Sequence, residues 1–285
     1  MKLAYSSADV ECWRDKTHRR ITRLAINNER QALAFVNGVG FCLASKSDGM
    51  ELPNLWDAVT SGGGLGNRKD DSTRRNSSRS AWQIQNVLPN HNSVYYGKVF
   101  KRRPSIVSRE YFTYFFALSE RTGARDEYKT ESVHGKVSPV AKTIMDLLMK
   151  NPPMTSKELR VALSDRSKAG VQGFEKGLDE LQRKMFITRL VGSDNQFASA
   201  WAPVIKCFPA EVRKARKISV DLARYKLLEK YFHIQLISSI ENIHRVFGWS
   251  RKDIFHTLGQ LIHAGVVTTT VSLDGKKGKH YCLIH

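Results

Sequence analysis

The chain has 285 residues, 46 Lys and Arg against 27 Asp and Glu, and a formal charge of +19. With 41% hydrophobic and 26% charged residues it has the apolar mass for a core, which excludes wholesale disorder. No run approaches the ~20 apolar residues of a spanning helix, which excludes a membrane-spanning chain.

The length suggests about two domains, or several small modules packed together. The start, Met1 to Ser7, lacks the apolar core of a signal peptide, so the expected location is the cytoplasm, on the nucleoid in a prokaryote. Cys12, Cys42, Cys207 and Cys282 form no CxxC pair and have no His at ligand spacing. They are expected to be reduced, buried thiols, with no metal and no cofactor. The charge surplus is +8 up to Lys136, +4 from there to Phe208 and +7 beyond. A surplus spread over folded segments points to a long polyanion lying across several modules, and duplex DNA fits that better than a membrane surface.

In chain order, residues 1–23 read as a tail. Leu24 to Gly40 reads as one amphipathic helix, with Asn27 or Asn28 as cap, Gly38 or Gly40 as stop, and Ala32, Leu33, Phe35, Val36 and Val39 inward. Leu55 to Val59 is a second, short helix. Residues 61–80 turn to Gly, Ser, Asn, Arg and Asp and read as a polar loop. Its Gly62-Gly63-Gly64-Leu65-Gly66 is no phosphate loop, because no strand precedes it and no Gly-Lys-Ser/Thr closes it. Val94 to Phe100 alternates like a strand, and Ser108 caps a helix through Leu118 whose rings Tyr111, Phe112, Tyr114, Phe115 and Phe116 read as core. This first domain spans 24–136.

The next segment, 137–208, has a clearer pattern. Ser138-Pro139 starts one helix and Thr155-Ser156-Lys157-Glu158 is the capping box of a second. A third covers Ala169 to Lys184, with strands at Phe186 to Val191 and Phe197 to Ile205 around a turn at Gly192 to Gln196. Three helices and a hairpin is the winged-helix order. The order recurs at 209–285, with helices near Leu222 to Phe232 and Ser239 to Val246, a capping box at Ser250 to Asp253, and strands Val266 to Leu273 and His280 to Ile284. Leu178 to Thr188 aligns without a gap on Leu258 to Thr268, which marks a duplicated module. The expected fold is therefore α+β, predominantly α-helical, with tandem winged-helix modules.

In such modules the start of the last helix meets base edges and the wing meets phosphates. The expected DNA contacts are Lys168, Gln172 and Lys176 in the first module and Ser250, Arg251, Lys252 and His256 in the second, with Lys276, Lys277 and Lys279 on the wing.

The stretches Phe35-Val36-Asn37-Gly38-Val39-Gly40-Phe41, Leu52 to Val59, Tyr96-Gly97-Lys98 with Arg103-Pro104 and Ser108, and the repeated module resemble the winged-helix DNA glycosylases of the YcaQ/AlkZ type, above all the AlkZ-related proteins. The resemblance runs from about Leu24 to the end. It implies a concave, basic surface of winged helices and hydrolysis of the N-glycosidic bonds of alkylated or crosslinked purines. It also implies a catalytic Gln, apolar residue, then Gln or Asp just after the first helix. Here that place reads Phe41-Cys42-Leu43-Ala44. Gln83-Ile84-Gln85 has the right spelling but follows the polar loop, in another context. The catalytic residue is left unassigned, with the nearby carboxylates Asp48, Glu51 and Asp57 as candidates. The expected function is a duplex-DNA-binding, glycosylase-like protein of DNA repair or damage recognition, and the alternative is a winged-helix transcriptional regulator that does no chemistry.

Overall fold

The computed structural model describes residues 3–61, 80–89, 92–164, 168–191, 199–269, 271–274 and 278–284. The chain folds as two compact units, one from residues 1–84 with 219–285 and one from 85–218.

In the first unit the segment expected as a tail carries structure. Leu3–Tyr5 is a strand paired in parallel with Val271–Leu273. Ser7–Thr17 is a helix opened by a reciprocal capping box between Ser6 and Asp9. It is polar on nearly all sides, with Val10 and Arg14 its only buried residues, so no apolar period announces it. It is tied to the helix Val220–Gln235, where Trp13 Nε1 donates to the His233 carbonyl at 3.2 Å and Thr17 Oγ1 to that of Ile234 at 3.0 Å. The expected helix starting at Leu24 begins at Glu29, because Asn28 is extended and its side chain accepts from Gln31 N. It ends at Val39 before Gly40, whose φ of 78° an L side chain rarely adopts. Ala32, Phe35, Val36 and Val39 bury its apolar face. Phe35 and Val36, the most deeply buried of the larger ones, contribute about 1.5–3 kcal/mol each. Phe41–Leu43 follows as a fully buried strand, and Leu55–Thr60 as a helix capped by Asn54.

The C-terminal part of this unit has three helices, Val220–Gln235, Ile240–Phe247 and Arg251–His263, each capped by the serine that precedes it. Ile237–Ser238, Tyr281–Leu283 and Val267–Thr268 form a small antiparallel sheet in that order. The expected strand Val266 to Leu273 is thus two pieces, the second turned to Leu3–Tyr5. Tyr231, Phe247 and Phe41 pack edge to face, with ring centroids 5.5 and 6.1 Å apart.

In the second unit Val94–Phe100 pairs with Arg103–Ser108 as a hairpin, followed by the helix Arg109–Leu118, capped by Ser108. Phe112, Phe115 and Phe116 are buried there, so this aromatic density is core. Pro139–Lys150, Ser156–Ser164 and Lys168–Arg183 are three further helices. Met154–Thr155, Ser199–Pro203 and Ile187–Val191 form the accompanying sheet in that order. The returning strand stops at Pro203, where Val204–Cys207 turns helical. The core gathers Ile144, Leu148, Leu159, Phe174, Leu181, Ile187 and Trp201. Leu178 and Leu181 are buried in this unit as Leu258 and Leu261 are in the other, so the aligned repeat serves the same inward positions in both. The polar loop beyond residue 61 and the turn at Gly192 to Gln196 lie outside the described residues.

The fold is α+β and predominantly helical, with short sheets. Among the described residues no helix is long and apolar enough to cross a membrane, and no group of three His, Cys, Asp or Glu could hold a metal ion. The four cysteines are free thiols; Cys42, Cys207 and Cys282 are buried as expected, whereas Cys12, on the polar helix Ser7–Thr17, is exposed.

Candidate functional site

The three carboxylates expected near the catalytic place line one concavity of the first unit. Asp48, Glu51 and Asp57 surround a cavity of about 330 Å³ together with Arg14, Arg20, Lys46 and Arg245. A neighbouring cavity of about 430 Å³ shares Glu11, Arg14, Glu51 and Arg245 and adds Asn242, Ser239 and His280. With Glu11 included, the first cavity sets four carboxylates against four cationic side chains and the second two against two, so the charge of each is balanced.

The three carboxylates differ in how each is held. Asp57 is a helix-start residue: its backbone N–H donates to Asn54 Oδ1 at 2.7 Å and its carboxylate accepts from Asn54 Nδ2 at 2.9 Å. Asp48 is exposed on the loop. Glu51 is the one drawn into the concavity. Its Oε2 accepts from Arg14 Nη2 at 3.0 Å and from Asn242 Nδ2 at 3.2 Å, and its backbone carbonyl accepts from Gln235 Nε2 at 2.7 Å. Arg14 is buried and also pairs with Glu11 at 3.1 Å. Glu51 therefore sits at the junction of three elements, with its carboxylate 35% exposed. An amide and a guanidinium both hold Oε2.

His18 stands behind this group, also on the cavity wall. Burial first, then the charges of Arg20 and Arg14, push its pKa from 6.5 down to about 3. It is neutral near pH 7, and its Nε2 lies 3.4 Å from Gln235 Nε2. An amide nitrogen can only donate there, which leaves the imidazole proton on Nδ1.

The place where the family motif would stand holds no polar group. Phe41, Cys42, Leu43 and Ala44 are all buried, and desolvation pushes the Cys42 thiol far above its usual range. Gln83-Ile84-Gln85 lies on the helical stretch 80–87. There Gln85 Nε2 donates to Tyr96 OH at 3.3 Å and Ile84 is buried.

The expected DNA contacts fall in separate places. Ser250 caps Arg251–His263 through Asp253 N, and its hydroxyl is bound to the Asp253 carboxylate at 2.7 Å, so its side chain serves the helix. Arg251 and Lys252 are exposed on the first turn, with the Arg251 side chain 70% exposed and 3.5 Å from Glu241. His256 is exposed one turn on, 4.0 Å from Asp221 and 3.2 Å from Gln260 Nε2. Lys279 is exposed, its ammonium 5.5 Å from the Tyr281 ring centroid. Lys276 and Lys277 lie outside the described residues, as do the side chains of Lys168 and Gln172. Lys176 is exposed on the helix of the second unit. Arg14, Asn242 and Arg245 were not anticipated from sequence. No local spacing marks them, since 14, 51 and 242 meet only in the fold.

Residues 26–248 match the model of the family described as AlkZ related. The chain belongs to the AlkZ-related family. Its fold is similar to that of the Streptomyces sahachiroi DNA glycosylase AlkZ, with a TM-score of 0.60 at 15% identity, over 99% of this chain and 70% of that one. No curated protein matches the chain. As an AlkZ-related protein it carries Phe41-Cys42-Leu43 where the resemblance implied polar residues, and a carboxylate held by Arg14 and Asn242 in the concavity nearby.

Proposed function

We propose that this AlkZ-related protein binds double-stranded DNA and acts in repair or damage recognition, with Arg251–His263 as the helix that meets the duplex and the 209–285 segment as a winged helix. The observation that carries it is the outward pair Arg251 and Lys252 on the first turn of that helix, with His256 and Lys279 also exposed, on a chain of charge +19. In helix-turn-helix docking that first turn reaches base edges while neighbouring cations meet phosphates. The fold shared with a protein described as a DNA glycosylase supports the same reading.

The test is duplex binding as a function of salt. Six to ten phosphate contacts would weaken binding by roughly 10³–10⁵ between 50 and 200 mM. Arg251→Ala with Lys252→Ala should lower affinity and flatten that slope. An unchanged slope would mean this helix faces away from DNA.

Two readings divide at the chemistry. The glycosylase reading rests on Glu51, a carboxylate held by Arg14 and Asn242 in a concavity of balanced charge, able to stabilise a sugar cation and orient water, ahead of Asp48 and Asp57. The reading as a binder without chemistry, including a regulator, rests on the buried apolar strand Phe41–Leu43. Duplexes containing N7- or N3-alkylated purines separate them. Abasic sites that vanish in Glu51→Gln assign the hydrolase, and intact binding without abasic sites leaves the binder.

A further inference from the structure

The hairpin of the second unit turns through two residues, Lys101 and Arg102, with Phe100 paired to Arg103. Both turn residues have positive φ, 40° and 66°. Tight hairpin turns of this hand are cheapest with Asn-Gly, and long side chains adopt them under strain. Lys101, Arg102 and Arg103 are all exposed, and among the described residues no carboxylate pairs with any of the three side chains. The sequence around them sharpens the asymmetry, because the 38 residues from Ser72 to Arg109 carry eight Lys and Arg and no Asp or Glu.

The hairpin behind the tip is braced. Lys98 Nζ pairs with Asp179 at 2.6 Å, Tyr95 OH donates to the Gln182 carbonyl at 3.2 Å, and Tyr96 N–H donates to Thr188 Oγ1 at 3.2 Å. The Lys98 charge is thus neutralised within the unit, while among the described residues no carboxylate pairs with the three at the tip. Every ring of the hairpin is turned inward, with Tyr95 0%, Tyr96 5% and Phe100 0% exposed. A surface with cations and no accessible ring suits phosphates and offers nothing to stack on unpaired bases.

We propose that the tip Lys101-Arg102-Arg103 is a second, sequence-independent contact with the phosphates of duplex DNA. It rests on the duplex-binding reading above and adds a surface in the other unit, with no residue in common. The turn on a braced hairpin fixes the backbone that carries the three side chains, so little loop ordering remains to be done on binding.

The decisive variant is Lys101→Asn with Arg102→Gly in the full chain. It removes two charges and installs the pair that the turn geometry favours, so the melting temperature should equal or exceed that of the wild type. Duplex binding should nevertheless weaken on the order of fiftyfold near 0.1 M salt, with a log K against log salt slope shallower by about 2, at ~0.9 per phosphate contact. The loss should be the same for unrelated duplex sequences. A variant that is at least as stable and binds with an unchanged slope, while Arg251→Ala with Lys252→Ala flattens it, overturns the hairpin contact alone. A wild-type chain that binds no duplex overturns both readings. A variant that loses binding to single strands but not to duplexes overturns the choice of duplex phosphates.

Discussion

Asn242 Nδ2 donates to Glu51 Oε2 at 3.2 Å, joining the first turn of the helix Ile240–Phe247 to a loop 191 residues earlier in the chain. The same oxygen accepts from the buried Arg14, so one carboxylate holds three segments. Glu51→Ala should destabilise the protein by ~1–2 kcal/mol, since it leaves a largely buried guanidinium with only Glu11 as partner. Glu51→Gln should cost less, because its amide oxygen still accepts one of the two donors. Urea unfolding monitored by far-UV dichroism checks the order. Equal losses would show that the charge of Glu51, and not its hydrogen bonding, holds the loop.

His18 supplies a pH dependence with a definite sign. Its folded pKa lies near 3 against 6.5 unperturbed, so the unfolded chain binds a proton more readily than the folded one. Above pH 6.5 both forms are neutral and the residue has no effect. As pH falls from 6.5 toward 3 the unfolded state gains the proton and stability drops, by about 1.4 kcal/mol per pH unit. Between pH 6.5 and 4.5, where carboxylates still contribute little, the loss should reach about 2–3 kcal/mol. Denaturation midpoints of wild type and His18→Gln across that range test it. The variant should show a flat profile, and parallel profiles would exclude His18 as the source.

How far the sequence reached follows from the range of the forces involved. Caps act over three residues, so Ser108, Ser138, Glu158 and Ser250 were readable in place and Asn28 was one of two candidates, and the repeated Leu178 and Leu258 stretches were readable as helices with the same inward leucines. Leu3–Tyr5 and Ser7–Thr17 were not legible, because their order comes from pairing with Val271–Leu273 and from hydrogen bonds to His233 and Ile234. The concavity was half legible. Glu51 could be suspected from its place after the first helix, but its partners Arg14 and Asn242 are distant in sequence and carry no motif. The exposed place of Arg251 and Lys252 on a first turn was legible because a helix start is a local event. The tip at Lys101 and Arg102 was hidden, since nothing in Lys-Arg-Arg announces a positive-φ turn that Asn-Gly would.

Arg121 and Glu127 form a buried ion pair in the second unit, 2.9 Å apart with both side chains 10% exposed. The guanidinium lies 3.6 Å from the Phe186 ring centroid and donates to the Met185 carbonyl at 2.6 Å. Glu127 also accepts from the backbone of Thr122 and Gly123. Glu127→Ala should therefore cost ~3–5 kcal/mol, leaving a buried charge and two donors without their acceptor. Adding Arg121→Met should recover part of that loss, because it removes the stranded charge while keeping apolar contact with Phe116 and Phe186. A double-mutant cycle by urea denaturation measures it. Strictly additive losses would mean that the pair is not coupled.

Two helical glycines should respond in opposite directions. A Cβ on Gly177 would lie 3.1 Å from Ile144 Cδ1 and from Val140 Cγ1, and 3.2 Å from the Ala141 backbone nitrogen. The side chains can yield, whereas the backbone of the helix Pro139–Lys150 cannot without moving the helix. Gly177→Val should thus destabilise by ~1–3 kcal/mol through overpacking. In Gly177→Ala the gain in helix propensity, about 1 kcal/mol, works against the same contacts and the net change should be small. Gly259, in Arg251–His263, has nothing within 4 Å of a built Cβ, so Gly259→Ala should stabilise by up to about 1 kcal/mol. Thermal melts of the three variants provide the comparison. Stabilisation by Gly177→Val would show that the two helices are less closely packed than their glycine contact implies.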